Sequence, residues 1–460
     1  MSDEKPIQDT GSAAPTIAWL RPIVIARPGE ALPLLASMAW IFLALTAYYI
    51  IKPLRSAVLQ DKIGVDNKWV ALVATTVFVA LLAFAYGKIV PRVARSRLVV
   101  STFVVFILCL GAFALALPHG GVLTGYVFFV WVSTFNLMVI SQFWSLAADV
   151  WTKEEGLRLF GFIGVAGVAG GIFGTLVVGS FAKRLRTEQM LALSAVVLFV
   201  CLLLALYILR FGSARGQGQS QAPPAAGMAP SIGGNSMMLV LGSPYLRLIA
   251  AMMLILNLVN TNNEWILDKM VSRSAMSHAA IKEFYAQFYL FQNVLTFGIQ
   301  FFLTARIQRR LGAGVALFFE PVIGIVGGAL FLVTPLLAVI RWHKIFENAS
   351  DYSIQSNTKE LLYLPVSKLE KYSAKNFNDT FVVRGGDALG AATIFAVTTY
   401  LLPALGVLSL KVMLGFDILL GVVWLALAAA IGRMHRGLTA ARAGQNTIGM
   451  APKSQLQHEL

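Results

Sequence analysis

MLALSAVVLFVCLLLALYILRFGSARGQGQSQAPPAAGMAPSIGGNS, residues 190–236, decides how the chain is organised. From Met190 to Leu209 it carries no charge, and a membrane-spanning helix needs about 20 mostly apolar residues. After Arg210 the composition turns to Gly, Ser, Gln, Pro and Ala. Such a stretch cannot bury a core and reads as a flexible linker over 211–236. A span that runs into a linker divides a membrane chain into two parts, each with its own set of spans.

Upstream, apolar runs fall near 33–58, 68–88, 97–117, 124–149 and 157–182, with the quoted run near 188–210 as the sixth. Downstream they resume near 240–268, 283–304, 312–339, 343–364, 379–402 and 406–432. The expected fold is an all-α polytopic membrane protein of about 12 transmembrane helices in two six-helix bundles. The bundles would occupy 33–210 and 237–436, flanked by tails at 1–32 and 437–460, with the second tail disordered. Composition agrees: 57% of the 460 residues are hydrophobic and 13% are charged, whereas soluble domains carry about 25% charged residues. The tenth span is the exception. RWHKIFENASDYSIQSNTKELLYLP (341–365) is too polar to face lipid and must be shielded by protein or line a water-filled cavity.

Net charge is +15, which on a soluble chain would point to nucleic acid. Here most Lys and Arg sit in short clusters between apolar runs, which is the positive-inside pattern, so no nucleic-acid partner is expected. Arg21, Arg27, Lys88, Arg92, Arg95, Arg97, Lys153, Arg158, Arg210 and Arg215 collect on one face. Arg306, Arg309, Arg310, Lys368, Lys371, Lys375, Arg433 and Arg436 join them from the second half. Both termini are therefore expected in the cytoplasm, with the chain in a bacterial inner membrane as a monomer. Lys183, Arg184 and Arg186 break the rule on the opposite face, either as a tolerated violation or as a lure for anionic solutes. No signal peptide is expected at the N-terminus, because Asp3, Glu4 and Asp9 stand where a basic region should be. IAWLRPIVIAR (17–27) is either an interfacial helix or part of a disordered tail.

Charges within spans cost at least roughly 2.5–3.5 kcal/mol each at the helix centre and mark functional positions. In YYIIKPLRSAVLQ (48–60), Lys52 and Arg55 are three residues apart and share a helical face, with Pro53 able to kink the helix beside them. They either bind an anionic solute or snorkel to the interface. In NLVNTNNEWILDKM (257–270), Asn257, Asn260, Asn262 and Asn263 precede Glu264, Asp268 and Lys269. This reads as an unwound, cavity-lining segment, or as interhelical glue. The tenth span offers His343, Lys344, Glu347, Asp351, Lys359 and Glu360, some of them necessarily ion-paired. Among isolated acids, Asp149 and Asp379 sit at helix ends and read as caps or gating salt bridges. Asp387 stands alone in the eleventh span. Glu320 beside Pro321, and Asp417, are with Glu264 the candidates for proton coupling. Gly161, Gly164, Gly167, Gly170, Gly171 and Gly174 groove the fifth span for close helix packing rather than for phosphate, since no strand precedes them. Cys109 and Cys201 read as small core residues. No catalytic triad, metal-ligand or phosphate-loop spacing is present, so no enzyme activity, metal or cofactor is expected.

Other segments resemble a known family, the nucleotide transporters or ATP/ADP translocases of plastids and intracellular bacteria. DYSIQSNTKELLYLPV (351–366) is similar to its signature, in which Tyr-Ser precedes Lys-Glu and Tyr-Leu-Pro. KYSAKNFNDTFVVRGGDALGA (371–391), QFWSLAADV (142–150) and EEGLRLFGFIG (154–164) resemble the family's flanking segments. The basic stretches YGKIVPRVARSRL (86–98) and ARIQRRLGAG (305–314) stand as equivalent loops in the two halves. They loosely resemble the loop motif of the major facilitator superfamily, whose two-bundle layout the chain would share. The resemblance implies a nucleotide antiporter in which Lys359, Lys52 and Arg55 hold phosphates. Two positions depart: Asn136 stands nearest to the family glutamate of the fourth span, and Asn263 and Glu264 replace a lysine of the seventh. The expected function is a secondary active transporter of an anionic or zwitterionic organic solute, foremost a nucleotide or nucleotide-like metabolite. The expected substrate-binding residues are Lys52, Arg55, Asn136, Asn260, Asn263, Glu264, Lys359 and Glu360. The alternatives are a proton-coupled porter for a siderophore, peptide or drug, and a lipid flippase.

Overall fold

The computed structural model describes residues 29–89, 92–214 and 234–449. The segment 17–27 and most of the linker lie outside the described residues. The described chain is helical, and ten of its helices are long and apolar enough to cross a membrane. The first half comprises α1 (Ala31–Val58), α2 (Lys68–Ile89), α3 (Arg95–Ala116), α4 (Val122–Val150), α5 (Lys153–Phe181) and α6 (Thr187–Ala214). A short α7 (Gly234–Gly242) leads into the second half: α8 (Pro244–Arg273), α9 (His278–Gly298), α10 (Ala305–Ala316), α11 (Phe319–Val333), α12 (Leu337–Ser350) and α13 (Ser356–Leu362). It ends with α14 (Lys368–Phe377), α15 (Val383–Ala396), α16 (Leu402–Leu405) and α17 (Leu408–Gly449). Successive spans reverse direction, so the connections fall at two ends. The end holding the start of α1 and the end of α17 is called the terminal end here, and the other the far end.

In the first half, α5 lies on α1 at backbone distance. A Cβ on Gly170 would overlap the carbonyl of Phe42, and one on Gly174 would stand 2.5 Å from the carbonyl oxygen of Thr46. The Thr46 hydroxyl donates to the Gly170 carbonyl at 3.1 Å. The glycine stripe is thus a packing groove, as small-residue spacing in membrane helices usually is. Around it Trp40, Phe103 and Phe143 fill an apolar core, with Trp40 and Phe143 edge-on at 4.9 Å.

The second half is built differently. Where the first half has one described π-helical turn, Leu59–Ile63 at the end of α1, four interrupt the spans of the second, at Ile299–Thr304, Asp351–Gln355, Asn378–Val382 and Val397–Leu401. Each inserts an extra residue and rotates the helix beyond it, a device frequent at functional sites. The tenth span is α12, a π-turn and α13, and its polar residues are shielded as its composition demands: His343, Lys344, Glu347, Ser353 and Gln355 are buried.

Four expectations need correction. The polar stretch 257–270 is not unwound: it is continuous helix within α8, its amides bonded to neighbouring groups, as in Asn262 to Asp417 at 2.8 Å. The basic stretch 305–314 is helical, not a loop, because α9 continues through a π-turn into α10. The break comes at Gly312, whose φ of 80° only glycine adopts freely. The ninth span therefore starts at Phe319 rather than near 312. The segment from Gly437 is not disordered as far as Gly449, since α17 runs to that residue. There Arg442 anchors the helix by donating to the carbonyls of Leu364 and Val366 at 2.6 and 3.1 Å.

Candidate solute cavity

Between the halves lies a cavity of about 260 Å³. Its walls are helical stripes. Tyr48, Lys52 and Arg55 come from α1, Thr75 and Thr76 from α2, and Phe129, Ser133 and Asn136 from α4. The second half supplies Asn260, Thr261 and Glu264 from α8, and Tyr285, Phe288 and Tyr289 from α9. It adds Lys344 and Asn348 from α12, Tyr352 from the π-turn after it, and Arg384 and Asp387 from α15. The spacings are four, then three or four residues, which keep side chains on one helical face.

The lining holds four cations, Lys52, Arg55, Lys344 and Arg384, against two carboxylates, Glu264 and Asp387. Their partners decide what each can do. Arg384 is tied to Asp387 at 2.8 Å. Lys344 donates to the carbonyl and side-chain oxygens of Asn260 and to Glu347, the last at 2.9 Å. Arg55 reaches Glu264 at 3.4 Å and donates to Ser133 at 3.1 Å, with its guanidinium 4.8 Å from the Phe129 ring centre. Lys52 differs. It is buried, and among the described residues no carboxylate lies within ion-pair range of it. Its Nζ instead faces three rings, 4.2 Å from Tyr289, 5.4 Å from Tyr49 and 5.7 Å from Tyr48. Ring faces attract a cation but leave its full charge available to an incoming anion.

One end of the cavity is closed by bonds between the halves. Lys68 of α2 meets Asp268 of α8 at 2.5 Å, with Tyr285 donating to the same carboxylate. Lys68 also approaches Glu264 at 3.5 Å. Above this pair, Lys269 bonds Asp66 at 2.5 Å, the Trp265 indole donates to the Val65 carbonyl at 3.0 Å, and Gln60 donates to the Asp268 carbonyl at 2.8 Å. Of the far-end exceptions to the charge rule, Lys183 joins the same seam by pairing with Glu283 at 3.1 Å, while Arg186 pairs with Glu188 at 2.6 Å within its own half; Lys282 of α9 adds a bond to the Leu185 carbonyl at 3.1 Å.

Of the residues singled out in the sequence, Lys52, Arg55, Asn136, Asn260 and Glu264 come together here. Glu264 stands between Arg55 and Lys68, as an acceptor for two cations rather than an isolated acid. Asn263 turns away into the second half, where it donates to Glu347 at 3.1 Å. Lys359 and Glu360 are not brought to the cavity. The π-turn before α13 carries them toward the terminal end, where Lys359 pairs with Asp351 at 3.4 Å and Glu360 with Lys375 at 2.6 Å. Sequence reasoning missed Ser133, Arg384 and the aromatic wall. It left Lys344 undistinguished among the charges of its span, although Lys344, Asn348 and Tyr352 at four-residue steps form a readable face.

No family model matches the chain. It is similar to ADP,ATP carrier protein 1 of Chlamydia muridarum, at 24% identity over 67% of this chain and 64% of that protein. The counterpart in Chlamydia trachomatis is similar to the same extent. The match thus spans less than two thirds of those relatives' length. Among solved structures, the nucleoside transporter NupG aligns with a TM-score of 0.61 at 14% identity, over 86% of this chain and 98% of that one. A peptide transporter of the POT family gives 0.61 at 13%, over 88% and 96%. A bacterial homologue of the lysosomal transporter Spinster gives 0.57 at 14%, over 90% and 98%. At these identities the likeness establishes the fold: a major-facilitator-type, multi-pass membrane protein of two helical bundles.

Proposed function

We propose that the chain is a secondary transporter that moves an anionic organic solute, a nucleotide or nucleotide-like metabolite, by alternating access of the central cavity. One observation carries the reading: Lys52 is a buried cation with three tyrosine rings around it, a polar cavity in front and, among the described residues, no carboxylate within ion-pair range. Arg55, one turn away, offers a second charge from the same face. An anion entering here sheds water, which is costly unless charge-assisted bonds replace the hydration. Tyr48, Phe129, Tyr289 and Tyr352 give a flat apolar moiety, such as a base, surfaces to lie against. The relatives are carriers named for ADP and ATP, which supports the nucleotide class. At about 260 Å³ the cavity is slightly smaller than the roughly 300–1,000 Å³ usual for ligand pockets, so a compact solute needs the least rearrangement. The basic loops at the terminal end support an orientation with that end in the cytoplasm of a bacterial cell and the seam outside. The cavity is lined within a single copy, which supports a monomer as the working unit.

The test is binding of ADP, AMP and NAD to purified protein and to its Arg55 variants. Arg55→Ala removes a charge-assisted contact worth roughly 1.5–3 kcal/mol, about a tenfold to hundredfold loss of affinity. Arg55→Lys retains the charge but loses the fork that grips two oxygens, so it falls between the two. Equal affinity in wild type and Arg55→Ala, after normalising for folded protein, sinks the assignment.

A further inference from the structure

Behind the solute cavity, inside the second half, is a second and much smaller space of about 10 Å³. That is about room for one water. It is lined by Glu320 and Pro321 of α11, Asn263 of α8, Glu347 of α12, and Asp417 and Trp424 of α17. The polar groups around it are buried and incompletely bonded. Among the described residues, Oε2 of Glu320, Oδ2 of Asp417, Oδ1 of Asn263 and the indole N–H of Trp424 each have no hydrogen-bond partner. All four side chains belong to residues no more than 4% exposed. Unsatisfied buried polar atoms are rare, because each costs about 1–3 kcal/mol. Four around one space call for an occupant.

The groups facing this space come from several elements. Asp417 accepts from Asn262 at 2.8 Å through its other oxygen. Asn263 donates to Glu347 at 3.1 Å and faces His343 at 3.3 Å. Glu347 is held by Lys344 at 2.9 Å, and the charges of Asp351 and Lys359, themselves paired at 3.4 Å, also act on Glu320. Two carboxylates with free oxygens need a proton or a cation between them. The Trp424 N–H can only donate, which disfavours a bare metal ion, whose ligands must all be acceptors. Among the described residues no group of three His, Cys, Asp or Glu side chains is placed to hold a metal.

We propose that this space is a proton site, in which Glu320 and Asp417 share one exchangeable proton through a bridging water, and that the Glu347–Lys344 pair couples it to the solute cavity. Lys344 is the hinge of the coupling, because it lines the solute cavity on one side and bonds Glu347 on the other. An anion that draws Lys344 forward leaves Glu347 less compensated and adds negative charge beside Glu320 and Asp417. The site then gains a proton from solution. By linkage, protonation favours anion binding as much as anion binding favours protonation, so proton and anion travel in the same direction. The coupling rests on the anion reading of the solute cavity; the proton site itself does not.

Infrared difference spectra between acid and alkaline pH, on purified substrate-free protein, read the C=O stretch of a carboxylic acid shielded from water. One such band is expected in wild type, lost in Glu320→Gln and in Asp417→Asn, and kept in Glu360→Gln. Two variants keep the test open if one fails to fold. No shielded band in wild type, a band that survives both substitutions, or a band displaced by sodium at constant pH would overturn the proton site. With ADP as probe, affinity should rise toward acid pH by up to about tenfold per unit, the ceiling for one linked proton, and flatten in Glu320→Gln. ADP binding that ignores pH overturns the coupling and spares the substrate reading. Failure of ADP to bind overturns the nucleotide reading, while the infrared result still decides the proton site.

Discussion

Lys52 of the first half rests among tyrosine rings, with no carboxylate in ion-pair range among the described residues. In the second, Lys344 is clasped by Asn260 and Glu347. The surroundings follow the same division. Around α1 the first half is an apolar, aromatic core locked by the glycine groove of α5. The second half threads a polar network through its interior: Asn262 to Asp417, Asn263 to Glu347, Thr393 to Asn262. It also breaks its helices with π-turns. The difference teaches a division of labour. A rigid frame on α1 can hold a cation apart from a counter-ion, since Glu264, which lines the same cavity, is engaged by Arg55 and Lys68. A network of paired charges can exchange partners, and so can transmit the arrival of a ligand.

The largest effect should come where the halves meet. Asp268→Ala removes the main partner of buried Lys68, and breaking a buried ion pair from one side costs about 3–5 kcal/mol. Glu264, 3.5 Å from Lys68, offsets part of that. The expected result is a protein that unfolds at lower denaturant, or one whose far end opens so that a cysteine at Gln60 reacts freely. A variant as stable and as closed as wild type would show that the seam does not hold the halves together.

A smaller effect is expected within the rigid half. Gly170→Ala forces a methyl into the Phe42 carbonyl, and overpacking of this kind costs about 1–3 kcal/mol. Thermal unfolding should drop, and anion affinity should fall because α1 carries Lys52 and Arg55. An unchanged melting temperature would mean that α1 and α5 separate easily and that the frame is not rigid. The smallest effect is expected at the terminal end of the second half. Lys375→Ala opens the Glu360 ion pair, whose carboxylate side chain is 55% exposed, and exposed pairs contribute about 0–1 kcal/mol. Stability and affinity should stay near wild type. A large loss of affinity would return Glu360 and its neighbour Lys359 to the binding site.

Much of this contrast is legible in the sequence, and the illegible part has physical causes. Apolar runs and the linker announce two sets of six spans because lipid imposes length and hydropathy on every crossing. Lys52 and Arg55 are readable because few charges survive inside apolar helices. The second half reads less well. Its π-turns shift the helical phase after Ser350, so the faces of Lys359 and Glu360 cannot be projected from that of Lys344. Gly312 looks like the start of a span, although it terminates a helix through its positive φ. The tyrosine cage is assembled from α1 and α9, far apart in sequence, and no spacing rule joins them. The continuation of α17 past Gly437 depends on Arg442 meeting carbonyls near α13, a tertiary contact no local pattern encodes.

The central claim is that Lys52 holds the charge of the solute and little else of it. Affinities of ADP and adenosine, measured on wild type and Lys52→Ala at the same ionic strength, form a four-way comparison that isolates this. The account predicts that Lys52→Ala weakens ADP about tenfold to hundredfold and leaves adenosine nearly unchanged. Equal losses for both ligands, or ADP affinity untouched by the substitution, would contradict it.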